Sequence, residues 1–171
     1  SMIDMAGIAP SSWTTVSYTS VSVTQSNAAA LWLQGSTMTT VSYSTAVNNS
    51  GTRSAVYLDN ASNNNFTVLF ASNPDNVGVA LYARNSDTNT VTLSHLWAAS
   101  RSVNLDIGSD YNTISFSTMI GRDSFGLWIN SASASNTVTQ TYMSGMADGL
   151  RLGNGSDYNT ISLSTIIAGS N

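Results

Sequence analysis

Few side chains in this sequence could carry ionic or acid–base chemistry: nine Asp, five Arg and His95, in a 171-residue chain with no Lys, Glu or Cys. His95 has no Cys or second His with which to share a zinc ion, and no serine lies in a nucleophile-elbow pattern, so a zinc centre or catalytic triad is excluded. It reads as a surface residue beside Trp97. Asp87, Asp110 and Asp157 recur in Ser-Asp-x-Asn contexts. Paired carboxylates could hold Ca2+, but that ion takes about six to eight oxygens and no Asp-rich loop supplies them. These contexts read as turns in which Asp accepts backbone N–H bonds. No metal, cofactor or catalytic residue is assigned.

What remains is recognition chemistry. Trp32, Tyr57, Asp106, Trp128 and Arg151 recur one repeat or two apart and are the ligand-binding candidates. Aromatic rings can stack on the apolar faces of a sugar while the carboxylate and guanidinium bond its hydroxyls. Exposed aromatics also mark contact surfaces in general, or cover one another.

Residues so far apart can meet only if the chain is periodic, and it is. SDYNTISFSTMI at 109–120 returns as SDYNTISLSTII at 156–167, and a Thr-apolar-Ser/Thr core occurs seven times. Its central positions are Val16, Val41, Phe66, Val91, Ile114, Val138 and Ile161, spaced by 25, 25, 25, 23, 24 and 23 residues. A second alternating motif lies at 30–33, 55–58, 78–81, 104–107, 126–129 and 149–152. Leu96, Met119, Met143 and Ile166 mark a third apolar point.

Alternation with period two predicts strands, and a period near two dozen predicts a stacked array. The fold expected is all-β: a right-handed parallel β-helix, or β-solenoid, of about seven coils of 23–25 residues. Composition agrees, since 42% hydrophobic residues can fill a core while Ser, Thr and Asn favour strands and turns over helices. Residues 13–171 form the repeat domain. Residues 1–12 read as a tag remnant and an N-terminal cap or edge, and the final turn as stopping after its first strand, as in a piece of a longer repeat protein.

Stacking would place Val16 to Ile161 in one inward column and Tyr18, Tyr43, Val68, Leu93, Phe116, Gln140 and Leu163 in a second, where the buried Gln140 amide would need a partner. The outward row of the second motif is Trp32, Tyr57, Ala80, Asp106, Trp128, Arg151. Asn64, Asn89, Asn112, Asn136 and Asn159 share one register before a corner, predicting a structural amide ladder. Asp75, Arg101 and Asp123 predict a ladder of alternating charge. The triplets from Thr15-Ser17-Thr19 to Thr160-Ser162-Ser164 would form a flat hydroxyl array, which makes an ice-binding solenoid one alternative.

AsnThrIleSer at 112–115 and 159–162, AsnThrValThr at 89–92 and 136–139, and the following GlyLeu-x-Ile/Leu resemble the repeats of right-handed parallel β-helix proteins. That superfamily is the pectate-lyase-like one, and the chain is most similar to its Ser/Thr/Asn-rich bacterial surface members. The same coil serves lyases, hydrolases, adhesins and passive stalks. The resemblance implies a non-catalytic structural and surface-interaction module of a larger bacterial secreted or cell-surface protein, with surface glycans, other proteins, neighbouring repeats or end-to-end copies as partners. A polysaccharide-acting lyase or hydrolase is the second alternative, with Asp106, Asp110, Asp123, Arg101 and Arg122 as its candidates. A net charge of −4 argues against nucleic acid, and no apolar run reaches the length of a membrane span.

Overall fold

The computed structural model describes residues 3–5, 12–25, 27–50, 53–75 and 77–169. Of the segment expected to be a tag remnant and cap, residues 1–2 and 6–11 lie outside the described residues. All described elements are strands, and their pairings are parallel. The chain winds as a β-solenoid with three faces. The first face is built from short strands such as Thr90–Thr92 and Thr113–Ser115, and the second from His95–Ala98 and its counterparts. The third runs from Ile3–Met5 through Leu31–Gln34, Val56–Asp59, Val79–Arg84, Arg101–Asp106 and Phe125–Ile129 to Asp148–Leu152. Thr40–Asn48 and Asn65–Asn73 each continue from the first face onto the second.

Six complete turns result, with part-turns at both ends. The last level carries Thr165–Ala168 on the second face as well as Thr160–Ser162 on the first, so it extends one strand beyond the expected stop. Val41, Phe66, Val91, Ile114 and Val138 stack in direct register and are buried, as the periodicity requires. Leu96, Met119 and Met143 stack behind them on the second face, fully buried.

The second expected column is not inward. Tyr18, Tyr43, Val68, Leu93, Phe116, Gln140 and Leu163 all have φ between 48° and 53° and lie exposed at the corner between the first two faces. Alternation returns residue i+2 to the same side only while the strand continues. A left-handed residue breaks that rule, at a cost of about 1 kcal/mol or more without glycine. The cost is offset by stacking: the N–H groups of Leu93, Phe116 and Gln140 donate to the carbonyls of Ser115, Thr139 and Ser162 on the next coil.

The residue after each corner therefore turns inward. Ser44, Leu69, Ser94, Ser117 and Thr141 are buried, not members of an outward hydroxyl array. Ser117 Oγ accepts the Ser94 N–H at 3.1 Å and donates to the Ser115 carbonyl at 2.7 Å, and Ser94 Oγ does the same for Leu69 N and the Thr92 carbonyl. Only two of the three hydroxyl columns remain outside, so the surface expected for ice binding is narrower than its triplets suggest.

At the corner before the first face, Asn89 Oδ1 accepts the N–H of Asn64 at 2.9 Å, Asn112 Oδ1 that of Asn89, Asn136 Oδ1 that of Asn112, and Asn159 Oδ1 that of Asn136. Asn64, Asn89 and Asn112 also donate Nδ2 to the carbonyls of Ser36, Ala61 and Ser86. Each amide thus satisfies backbone groups that the corner would otherwise bury unpaired, a cost of about 1–3 kcal/mol per group.

Candidate functional site: a groove on the third face

The change of period from 25 to 23 residues has a structural origin. Early coils pass from the second face to the third through connections at 24–30, 49–55 and 74–78, whereas later coils do so at 99–100, 122–124 and 146–147. Two of the three tight connections follow a glycine, Gly121 and Gly145, and the first follows Ala98 in the same register. A Cβ on Gly121 would stand 1.9 Å from the Phe125 carbonyl oxygen. The longer version is closed by two fully buried amides, Asn48 and Asn73, whose Nδ2 groups both donate to the Arg53 carbonyl, at 2.8 and 2.6 Å. Arg53 is fixed by its backbone in the connection at 49–55, and the long connections give way to short ones further along the rod, between 74–78 and 99–100.

A groove of about 480 Å³ opens at that step, lined by Arg53, Tyr57, Tyr82, Arg101, Asn104, Asp106 and Trp128 together with Ser54, Val77 and Val79. Tyr57, Tyr82, Asn104 and Trp128 of this lining belong to one outward row in register, which runs Trp32, Tyr57, Tyr82, Asn104, Trp128, Arg151. The expected row held Ala80 and Asp106 in place of Tyr82 and Asn104. Both belong two residues away: Ala80 is fully buried at the corner, and Asp106 stands beside Arg84 in the neighbouring row. A slip of two residues preserves the side-chain alternation, so the pattern could not reveal it. Sequence reasoning thus missed Arg53, Tyr82 and Asn104, for which the break in period was the available signal.

Ring faces on this row are largely taken. Tyr57 is only 7% exposed, with Trp32 edge-on at 5.7 Å and Tyr82 at 5.4 Å. The Arg53 guanidinium lies 5.2 Å from the Trp32 ring centre and 5.3 Å from that of Tyr57, and Arg101 lies 4.5 Å from that of Trp128. Arg151 sits over Phe125 at 5.0 Å and near Trp128 at 5.9 Å. Such cation–π contacts are worth about 0.5–2 kcal/mol each.

The polar groups are placed as tightly. Tyr82 donates its hydroxyl to Asp106 Oδ2 at 2.9 Å; burial first, and this hydrogen bond second, hold its pKa well above the usual tyrosine range. Burial pulls the Arg101 pKa down while Asp106 and Tyr82 offset part of the effect. Asn104 is 3% exposed, and its Oδ1 has no partner; the same is true of Arg101 Nε and of the Trp32 and Trp128 indole N–H groups.

The other candidates lie elsewhere. Asp123 takes the guanidinium of its neighbour Arg122 at 2.6 Å, while Arg101 covers Trp128, so the expected ladder of Asp75, Arg101 and Asp123 does not form. Adjacent residues reach each other at less entropic cost than residues on separate coils. Asp110 N–H donates to Asp87 Oδ1 and Ala134 N–H to Asp110 Oδ1, so these carboxylates bond backbone of the next coil rather than of their own turn. His95 is exposed and stacks on Phe70 at 5.5 Å.

A family model described as periplasmic copper-binding protein (NosD) matches residues 6–170, almost the whole chain. The chain belongs to the NosD family. No curated protein and no solved structure matches it. Family membership and the three-faced coil together establish a parallel β-helix repeat protein. As a member of NosD, a periplasmic family, the chain is a β-helix module of the envelope; this agrees with the expected extracellular or cell-surface location as far as the envelope and does not specify the cell surface. The groove in this NosD-family chain unites four of the five Arg residues with its face: Arg53 and Arg101 line it, and Arg84 and Arg151 lie on the same sheet.

Proposed function

We propose that this protein is a non-catalytic binding module that presents the third-face groove to a saccharide at the cell envelope. The observation that carries the reading is the convergence of Asp106, Asn104, Arg101, Arg53 and Tyr82 with the rim of Trp128 in one open groove on a stiff rod. Saccharide recognition uses such a set: hydroxyls bond bidentate groups, and an aromatic rim excludes water. Rigidity is the contribution of the fold. Ladders of hydrogen bonds fix each lining residue before the ligand arrives, so little ordering cost remains at binding.

A polysaccharide-cleaving role is less well supported. Hydrolysis generally uses two carboxylates flanking the scissile bond, and Asp106 is the one carboxylate among the lining residues named. Tyr82 is held as a neutral donor, which suits positioning rather than proton transfer.

Copper is also disfavoured by the residues of this chain. Copper prefers imidazole, thiolate or thioether ligands. There is no Cys and one His, Met119 and Met143 are sealed in the core, the exposed Met38 and Met146 stand at different corners four coils apart, and among the described residues no cluster of three His, Cys, Asp or Glu could hold a metal. The residues do not fit the ion in the family's description.

A glycan array probed with the intact protein and with Asp106→Ala and Trp128→Ala tests the proposal. Retention of a glycan set by the wild type, and its loss in both variants, is expected. If the wild type retains no glycan, the saccharide reading fails.

A further inference from the structure

We propose that the second face, together with the corner between it and the first, is the interface of an antiparallel two-fold dimer of this chain. The corner carries the first part of the argument. Its residues are left-handed, and elsewhere in the chain Asn and Gly take many such positions, among them Asn60, Asn85, Gly35 and Gly108. Left-handed backbone costs a bulky side chain more than it costs Asn or Gly. Yet this corner holds Tyr43, Val68, Leu93 and Phe116, between 37% and 57% exposed. The hydrogen bond to the next coil would form with any residue but proline, so it accounts for the turn and not for an apolar side chain on the outside. Burial against a second molecule does.

The second face continues the patch. Phe70 and Tyr142 are exposed on it, Trp97 and Ile120 are half-buried, and no Asp or Arg stands on its strands among the described residues. The charged residues lie on the third face and in the connections, and the pair just beyond this face, Arg122 and Asp123, bond each other. A chain of net charge −4 thus has one side on which two copies can meet without bringing carboxylates together. Seven strands stack there. At about 4.8 Å per strand and about five residues across, corner included, the patch spans about 30 by 17 Å, or about 500 Å² on each copy. Two copies together reach the roughly 1,000 Å² that a specific interface needs.

The register points to a second copy as the occupant. In an antiparallel pair with its dyad along the strand of His95, each coil faces the coil equally far on the other side of that dyad. Phe70 then faces Thr118 of the second copy, Tyr142 faces Thr45, Ile120 faces Ser72 and Val47 faces Ser144. Each match sets a large side chain against a small one, the condition under which two sheet faces interdigitate at a spacing of about 10 Å. Parallel rods would set Phe70 on Phe70 and Thr118 on Thr118, which leaves bulges and gaps. At the dyad His95, stacked on Phe70 at 5.5 Å, meets its counterpart, with Leu93 and Trp97 on either side of it in the same coil. The third face and its groove stay outside the interface, so dimerisation is independent of what the groove binds.

Sedimentation velocity of the intact chain at about 1–100 μM reads the mass across the range expected of an interface this size. A species of twice 18.0 kDa should dominate at the upper end. Leu93→Asp, which sets two carboxylates against each other near the dyad, should weaken association at least about tenfold, whereas Arg151→Gln on the third face should leave it unchanged. Because the chain has no Cys, a bismaleimide reports the register: one spanning about 10 Å bridges facing residues but not residues four coils, about 19 Å, apart. An equal mixture of Thr45→Cys and Tyr142→Cys should cross-link into dimers, and neither variant alone should. Unaltered circular dichroism of each variant excludes a folding defect. A monomer at every concentration, or a dimer that Leu93→Asp leaves intact, overturns the interface. Failure of the mixture to cross-link, or cross-linking of Thr45→Cys by itself, overturns the antiparallel register.

Discussion

Tyr82 shows how a single residue can tie the site to the stability of the coil. Its hydroxyl is partly buried and donates to Asp106, so the fold favours the neutral phenol and raises its pKa. The folded protein then holds that proton more tightly than the unfolded chain. The resulting stability is complete below the ordinary tyrosine pKa of about 10 and is lost as pH rises beyond it. Urea midpoints measured at about pH 8 and about pH 11 should fall with pH in the wild type and fall less in Tyr82→Phe. A parallel fall in both would show that Tyr82 is not the group responsible. The nearby Trp and Arg residues act differently, since their contribution is placement of charge rather than titration.

At the scale of the element, each short strand of the first face is defined by how it ends. A left-handed residue turns the chain, and the following Ser or Thr dives under the corner to accept the backbone N–H of the coil before it. Ser117→Ala would leave the buried Ser94 N–H without a partner and should cost about 1–3 kcal/mol in denaturant unfolding. Ser115→Ala removes a hydroxyl on the outer surface, bonded to Thr92 Oγ1, and should change stability by less than about 0.5 kcal/mol. Equal losses would mean that the inner hydroxyl ladder carries no special load. The two residues are two apart in a run that looks uniformly alternating, which is why their opposite fates were not legible in the sequence.

For the molecule as a whole, stability is the sum of contacts between neighbouring coils. Ile114 is buried between Val91 and Val138, whereas Ile161 at the last level is only partly covered. Ile114→Ala should therefore cost about 2–5 kcal/mol and, by weakening the middle of a linear array, broaden the unfolding transition. Ile161→Ala should cost less and leave the transition sharp. If the two variants unfold alike, the array behaves as one cooperative block. The groove depends on this same linear logic, because it lies where coils with long connections meet coils with short ones.

The sequence by itself determined the parallel coil, the inward column from Val16 to Ile161 and the register of the Asn corner residues. Each repeats at a fixed spacing, and only stacking makes use of such a period. Tertiary structure decided the rest. Whether Phe116 or Ser117 faces the core depends on the sign of one φ angle, which the carbonyl of the next coil stabilises. Which residue stands beside Trp128 depends on a two-residue register that alternation leaves open. The groove joins Arg53 to Trp128 across four coils, and no local pattern encodes a concavity between coils whose connections differ in length.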